Sequence, residues 1–261
     1  MKHYRLITIL IILTLSLTAC QKKPDPVDIV LDLEFESESD INWVSFPPEL
    51  ENLDMETIMV NGVLHMSGEN QLFGLNMKYN LEPGLLVHYR PRSSEAGPCY
   101  SAGLGFDPDP AQNKTFSLGG CPDSLLNAEV VFNRDHFGDS IGARLPIRGS
   151  VPVVADAWVD LIFWITPERD QLYFFATNTD DPEHVTYGSV LLPEDWQVTR
   201  WNTGIAAYFE DEEGGVDVDF ARIAKGPLAS YLYYNVPAYL ENQEEIDQFL
   251  EQSPEPMPEL N

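Results

Sequence analysis

Trp158-Val159-Asp160-Leu161-Ile162-Phe163-Trp164-Ile165 has the period of a β-strand. Side chains alternate across a strand, so Val159, Leu161, Phe163 and Ile165 share one face and Trp158, Asp160, Ile162 and Trp164 share the other. The first set is wholly apolar and makes a good core. Thr166-Pro167-Glu168-Arg169-Asp170 then turns the chain into a second run, Gln171 to Thr177. Working outward, similar short runs follow one another at the spacing of a sandwich. Met59-Val60 and Val63-Leu64 flank Asn61-Gly62, a strong hairpin signal. Gln71 to Tyr79 and Leu85 to Arg90 are split by Glu82-Pro83-Gly84. Cys99 to Phe106 alternates Tyr100, Ala102, Leu104 and Phe106 against Ser101, Gly103 and Gly105. Asn127 to Asn133, Ile141 to Ile147, Gly204 to Glu210 and Gly215 to Ile223 complete the series. Helical spacing is confined to Leu228–Tyr234 and Ala238–Gln252, with Leu240, Ile246, Phe249 and Leu250 among the apolar positions. The expectation is an all-β, two-sheet antiparallel sandwich with a short C-terminal helical appendage.

The N-terminal end reads differently. Met1-Lys2-His3-Tyr4-Arg5 is a positive start, and Leu6 to Leu17 is an apolar run too short to cross a bilayer, which takes roughly 20 residues. Leu17-Thr18-Ala19-Cys20 closes it with small residues before a cysteine. This is the anatomy of a secretory signal peptide, and it resembles the lipobox of bacterial lipoproteins. That resemblance implies lipidation of Cys20 and attachment of an exported domain to a membrane, in a leaflet the sequence leaves open. The expected organisation is signal peptide 1–19, lipidated tether 20–28, sandwich 29–226, helical appendage 227–252 and a disordered Pro-rich tail 253–261. Cys99 and Cys121 are the two cysteines left in the domain. In an oxidising compartment they are expected to pair, and closing a loop of about 20 residues could contribute roughly 3 kcal/mol.

Acidic side chains outnumber basic ones by 42 to 15, giving a formal charge of −27 that loss of Lys2 and Arg5 with the leader makes more negative. Such a field repels phosphate backbones, so no nucleic-acid partner is expected. It equally opposes an electrostatic grip on anionic lipid, leaving the acyl group as the membrane attachment.

The layout from Ile29 to Lys225 resembles a concanavalin A-like lectin/glucanase jelly roll. The likeness rests on Trp43-Val44-Ser45-Phe46 leading into Val60-Asn61-Gly62-Val63-Leu64-His65-Met66, and on Pro83-Gly84-Leu85-Leu86-Val87-His88-Tyr89-Arg90. It continues through Trp158 to Trp164, Leu172-Tyr173-Phe174-Phe175, Gly204-Ile205-Ala206-Ala207-Tyr208 and a closing strand, Gly215 to Ile223. What it implies is a convex and a concave sheet, the concave one often binding glycans. Taking the strands that carry them as one sheet, His88, Arg90, Trp158, Asp160, Trp164, Tyr173 and Tyr208 become candidate glycan contacts, because aromatic rings stack on pyranose faces and a carboxylate accepts hydroxyl hydrogen bonds. The competing expectation is that the C-terminal segment, with Tyr231, Tyr233 and Tyr234, covers this face and buries its aromatics.

Catalytic signals are absent. Laminarinase-type members of that fold carry Glu-x-Asp-x-x-Glu on one strand, and a retaining glycosidase needs its two carboxyls roughly 5–5.5 Å apart. The nearest imitation, Glu245 to Glu251, places its last acid one residue late and in a helical segment. Asp217 and Asp219 share a strand face, where a structural role or weak Ca²⁺ binding fits better than hydrolysis. No other metal and no organic cofactor is expected. Nucleophile-elbow, zinc-protease and phosphate-loop patterns are missing, and Arg134-Asp135-His136 reads as a turn. The favoured reading is a carbohydrate-binding, non-catalytic lipoprotein. A glycoside hydrolase of the same fold and a structural or interaction module of the cell envelope are the alternatives.

Overall fold

The computed structural model describes residues 23–46, 58–67, 74–94, 97–109, 112–133, 140–208 and 214–259. The leader, Cys20, Arg134-Asp135-His136 and Asp211-Glu212-Glu213 lie outside them. The strands, in chain order, are β1 (Asp28–Leu33), β2 (Val44–Ser45), β3 (Met59–Val60), β4 (Val63–Ser67), β5 (Gly74–Met77), β6 (Leu85–Ser93), β7 (Cys99–Asp109), β8 (Gln112–Gly120) and β9 (Asn127–Asn133). They continue as β10 (Ser140–Arg144), β11 (Arg148–Gly149), β12 (Val159–Ile165), β13 (Gln171–Asn178), β14 (Asp181–Leu191), β15 (Asn202–Tyr208), β16 (Gly215–Lys225) and β17 (Glu255–Pro256). Three helices, α1 (Leu228–Asn235), α2 (Pro237–Glu241) and α3 (Gln243–Leu250), sit between β16 and β17.

Two sheets form. The first runs β11-β14-β13-β12-β6-β16-β4-β3, with β1 beside β16 and β17 beside β14. The second runs β10-β9-β8-β7-β15-β5-β2. All pairs are antiparallel except β14 with β17. The alternation in β12 fulfils its sequence reading: Val159, Leu161, Phe163 and Ile165 lie in the core between the sheets, facing residues such as Leu104, Phe116, Leu118 and Ile205. The hairpin at Asn61-Gly62 also forms, both residues having positive φ, as a two-residue turn of the twist-matching type requires. Cys99 and Cys121 are bonded across the open end of the β7–β8 hairpin.

A second apolar cluster lies on the outer face of the first sheet. Leu86, Ile162, Tyr173, Phe175 and Tyr187 meet Leu228, Tyr231 and Leu232 of α1, Tyr239 of α2, and Ile246 and Phe249 of α3. Burying side chains of this size contributes roughly 1.5–3 kcal/mol each. The appendage is therefore an integral layer of the fold. Leu240, expected on its apolar stripe, is instead half exposed.

The tail departs from expectation. Glu255-Pro256 pairs with Val190-Leu191 at the sheet edge, and Met257 packs against the core. An edge strand tolerates proline because the missing N–H can face solvent.

Candidate functional site

The expected glycan face comes first. β6, β12 and β13 do adjoin, with Ile162 opposite His88 and Trp164 opposite Tyr173. Tyr208, however, belongs to β15 in the other sheet, so the seven candidates do not converge. His88 and Asp160 are fully buried and Tyr173 nearly so. Trp164 packs its ring 5.4 Å from that of Tyr173. Trp158 carries the Arg92 guanidinium 4.4 Å above its ring. The open aromatic platform is thus corrected to a covered layer, because α1–α3 lie where a sugar would have to stack.

Beneath the helices runs a polar chain. Arg90 Nε donates to Asp160 Oδ1 (2.7 Å), and His88 Nε2 lies 2.9 Å from the same oxygen. His88 Nδ1 lies 2.8 Å from the Tyr231 hydroxyl. Arg222 stands beside Tyr231 as a donor and clasps Asp32 through two bonds of 2.8 Å. The ordering consistent with every contact is a neutral imidazole that donates from Nε2 and accepts the tyrosine proton at Nδ1. Burial pushes the His88 pKa down and outweighs the opposing pull of Asp160, while Arg90 and Arg222 push it further down. For Asp160, burial acts upward, but His88 and Arg90 prevail and hold its carboxyl below the usual range. The chain ties α1 to the sheet, and its centre, His88 and Asp160, is closed to solvent.

The depressed His88 value has a sign. As pH falls, the unfolded imidazole, with its ordinary value of about 6.5, takes up a proton before the native one does. The stabilisation by His88 is complete above that value and is lost as pH falls below it. Exposed His184, raised by its bond to Asp181, acts in the opposite sense. Urea midpoints should therefore fall from pH 7 to pH 5, and His88→Gln should flatten that slope. An unchanged slope in the variant would exclude His88 as the source.

Asp217 and Asp219 are engaged by the protein's own cations. Asp217 meets His65 at 2.7 Å and accepts two bonds from Arg92, and Asp219 lies 3.4 Å from Arg90. Among the described residues no cluster of three or more His, Cys, Asp or Glu side chains could hold a metal. The Ca²⁺ expectation finds no support in these contacts.

The open surface is on the other sheet. A cavity of about 690 Å³ lies over β2, β5, β15, β7 and β8. Strand register explains its shape. Ser45, Asn76, Gly204, Gly103 and Ser117 stand side by side in one row across the five strands. Gly74, Ala206 and Ser101 form a parallel row, and Asn202, Gly105 and Thr115 another. At sheet spacing, five strands make a trough about 19 Å wide. Small residues keep its floor near backbone level. Gly204 is required, since a Cβ there would stand 2.5 Å from Asn76 Oδ1 and 2.4 Å from the Leu75 carbonyl oxygen. Hydroxyl and amide groups line the surface, and Tyr208, 60% exposed, stands at one end. None of the described residues lining it is acidic or basic. The row continues through half-buried Glu129 to Arg144 on the neighbouring strands.

Tyr208 is the one candidate contact that lies here. The alternation of Ser101, Gly103 and Gly105 is the sequence signal for the rest, and small residues announce a low floor and not an aromatic platform.

No protein-family model matches the chain, and no curated protein matches it. Solved structures do. Porphyranase B from Zobellia galactanivorans superposes with a TM-score of 0.51 at 9% identity, over 76% of this chain and 92% of that one. A β-porphyranase from the human gut bacterium Bacteroides plebeius gives 0.50 at 10% identity, over 80% and 95%. The laminarinase catalytic domain of Thermotoga maritima gives 0.49 at 11% identity, over 78% and 100%. At such identities the likeness is one of fold: the chain has the concanavalin A-like jelly roll.

Proposed function

We propose that this chain is an exported lipoprotein of the bacterial cell envelope, anchored through Cys20, whose jelly roll binds carbohydrate in the trough over β2, β5, β15, β7 and β8. The observation that carries the binding assignment is the trough itself: open, floored by glycine, lined by hydroxyls and amides, with an exposed tyrosine at one end. Sugar hydroxyls exchange hydrogen bonds with such groups, directly or through water, and affinity is expected to be modest. The covered face of the first sheet is what an interaction module would show, yet the outer face of the second sheet remains open to a ligand.

Hydrolysis is the second reading. Solved structures of this fold named as porphyranases weigh towards it. The trough lining weighs against it as far as the described residues go, since a retaining mechanism needs two facing carboxyls and none of the described lining residues is acidic. One experiment separates these readings. The lipid-free domain from Gln21 onward is applied to a glycan array, and each bound glycan is then incubated with it and assayed for new reducing ends. Binding without new reducing ends is expected. New reducing ends establish the hydrolase, and an empty array sinks both readings.

The anchor is tested independently. Cys20→Ala should release the protein from the membrane fraction after detergent-free lysis. A variant that stays membrane-bound and takes up labelled fatty acid would refute the assignment.

A further inference from the structure

The N-terminal segment is fastened to one particular end of the sandwich. The Tyr234 hydroxyl of α1 donates to the Pro24 carbonyl at 2.6 Å. Val27 packs against the second apolar cluster, and a Cβ on Gly226 would come within 2.8 Å of its side chain. Asp28 then opens β1 opposite Lys225, the last residue of β16. The Gly226 amide contacts the Gly84 carbonyl, and the Gly84 amide donates to Ile165, so the turns before β6 and after β12 belong to the same rim.

The trough has a defined direction relative to that rim. Leu81, four residues before β6, bridges Trp201 at the start of β15. Tyr208, at the other end of β15, lies opposite Cys99, and the preceding Pro98 carbonyl accepts a bond from Ser93, the last residue of β6. The Asn202 end of the trough thus lies near the fastened rim and the Tyr208 end at the opposite rim. The nine residues of β6 separate the two rims by about 26 Å.

Only four residue steps join Cys20 to Pro24, a reach of at most about 14 Å. From these facts we infer that the sandwich stands on the membrane by the rim carrying Pro24, Gly84 and Gly226, with the Tyr208 end of the trough held away from the lipid. The inference rests on the proposed lipidation of Cys20. Charge favours the upright arrangement over one lying on the helices: Glu241, Glu244, Glu245 and Glu251 are exposed there, and an anionic bilayer repels them, whereas the exposed acids of the rim, Asp25, Asp28, Glu82 and Glu168, are largely offset by Lys23, Arg169 and Lys225. A trough so oriented meets glycans of the surroundings and not those of the lipid headgroups beside the anchor.

The test uses the lipidated full chain in vesicles of phosphatidylethanolamine and phosphatidylglycerol containing a headgroup nitroxide lipid. Cys99 and Cys121 are bonded and Cys20 is acylated, so one added thiol takes the fluorophore. Glu168→Cys reports on the fastened rim and Asp180→Cys on the opposite one. Quenching should be several-fold stronger at position 168, and a flexible insertion between Lys23 and Pro24 should reduce that difference. Equal or reversed quenching on vesicle-bound protein, or indifference to the insertion, overturns the orientation and leaves the anchor standing. A native chain that fails to float with the vesicles removes the anchor, and the orientation with it.

Discussion

Asp160→Ala should destabilise the fold by about 3 kcal/mol, from the loss of hydrogen bonds to a charged group together with the penalty for a buried donor left without an acceptor. Asp160 is 1% exposed and its Oδ1 takes both His88 and Arg90. Arg90 is the less damaged partner, because it reaches water and keeps Asp219 at 3.4 Å. His88 is the more damaged one, left with a buried N–H and no acceptor. The loss should appear as a drop in unfolding midpoint of roughly 6–12 °C. Asp160→Asn retains an acceptor for His88 and should fall by less. A loss below about 1 kcal/mol in Asp160→Ala would mean that the chain from Arg90 to Arg222 does not hold α1 to the sheet, since even an ordinary buried hydrogen bond contributes about that much.

This polar chain joins residues that no local sequence pattern links. The residues of β12 announced their two faces, and Asn61-Gly62 announced a turn, because both signals are local. Which strands share a sheet is not local. β6 pairs with β16, more than a hundred residues later, while β15 crosses to the other sheet although it precedes β16 directly. Nothing in the alternation of Gly204 to Glu210 reports that crossing, so the sequence alone places Tyr208 with His88 and Trp164. The cover over those residues was legible in outline, since Tyr231, Ile246 and Phe249 fall at helical spacing. The trough was legible only as a weakness: a strand alternating leucine and tyrosine against serine and glycine looks under-packed until its outer face proves to be a floor.

Ser117→Trp and Trp164→Ala then separate the two faces. Ser117 lies on β8 at one side of the trough, in its central row, half-buried, on a strand whose inward neighbours Phe116 and Leu118 carry the packing. A tryptophan there would occupy the space a glycan needs and disturb no core contact. Binding should weaken on the order of 100-fold, equivalent to about 2.7 kcal/mol, with the unfolding midpoint unchanged. Trp164→Ala should do the reverse. Its ring is half-buried and packs with Tyr173 and the helical layer, so truncation should cost about 3 kcal/mol of stability, the low end for a tryptophan, and leave affinity alone. The pair is measured by calorimetric titration with whichever glycan the array yields and by thermal unfolding. If Trp164→Ala abolishes binding at an unchanged midpoint while Ser117→Trp binds normally, the ligand sits beneath the helices after all. The appendage would then have to lift to admit it, at the expense of the apolar contacts that α1–α3 make with the sheet.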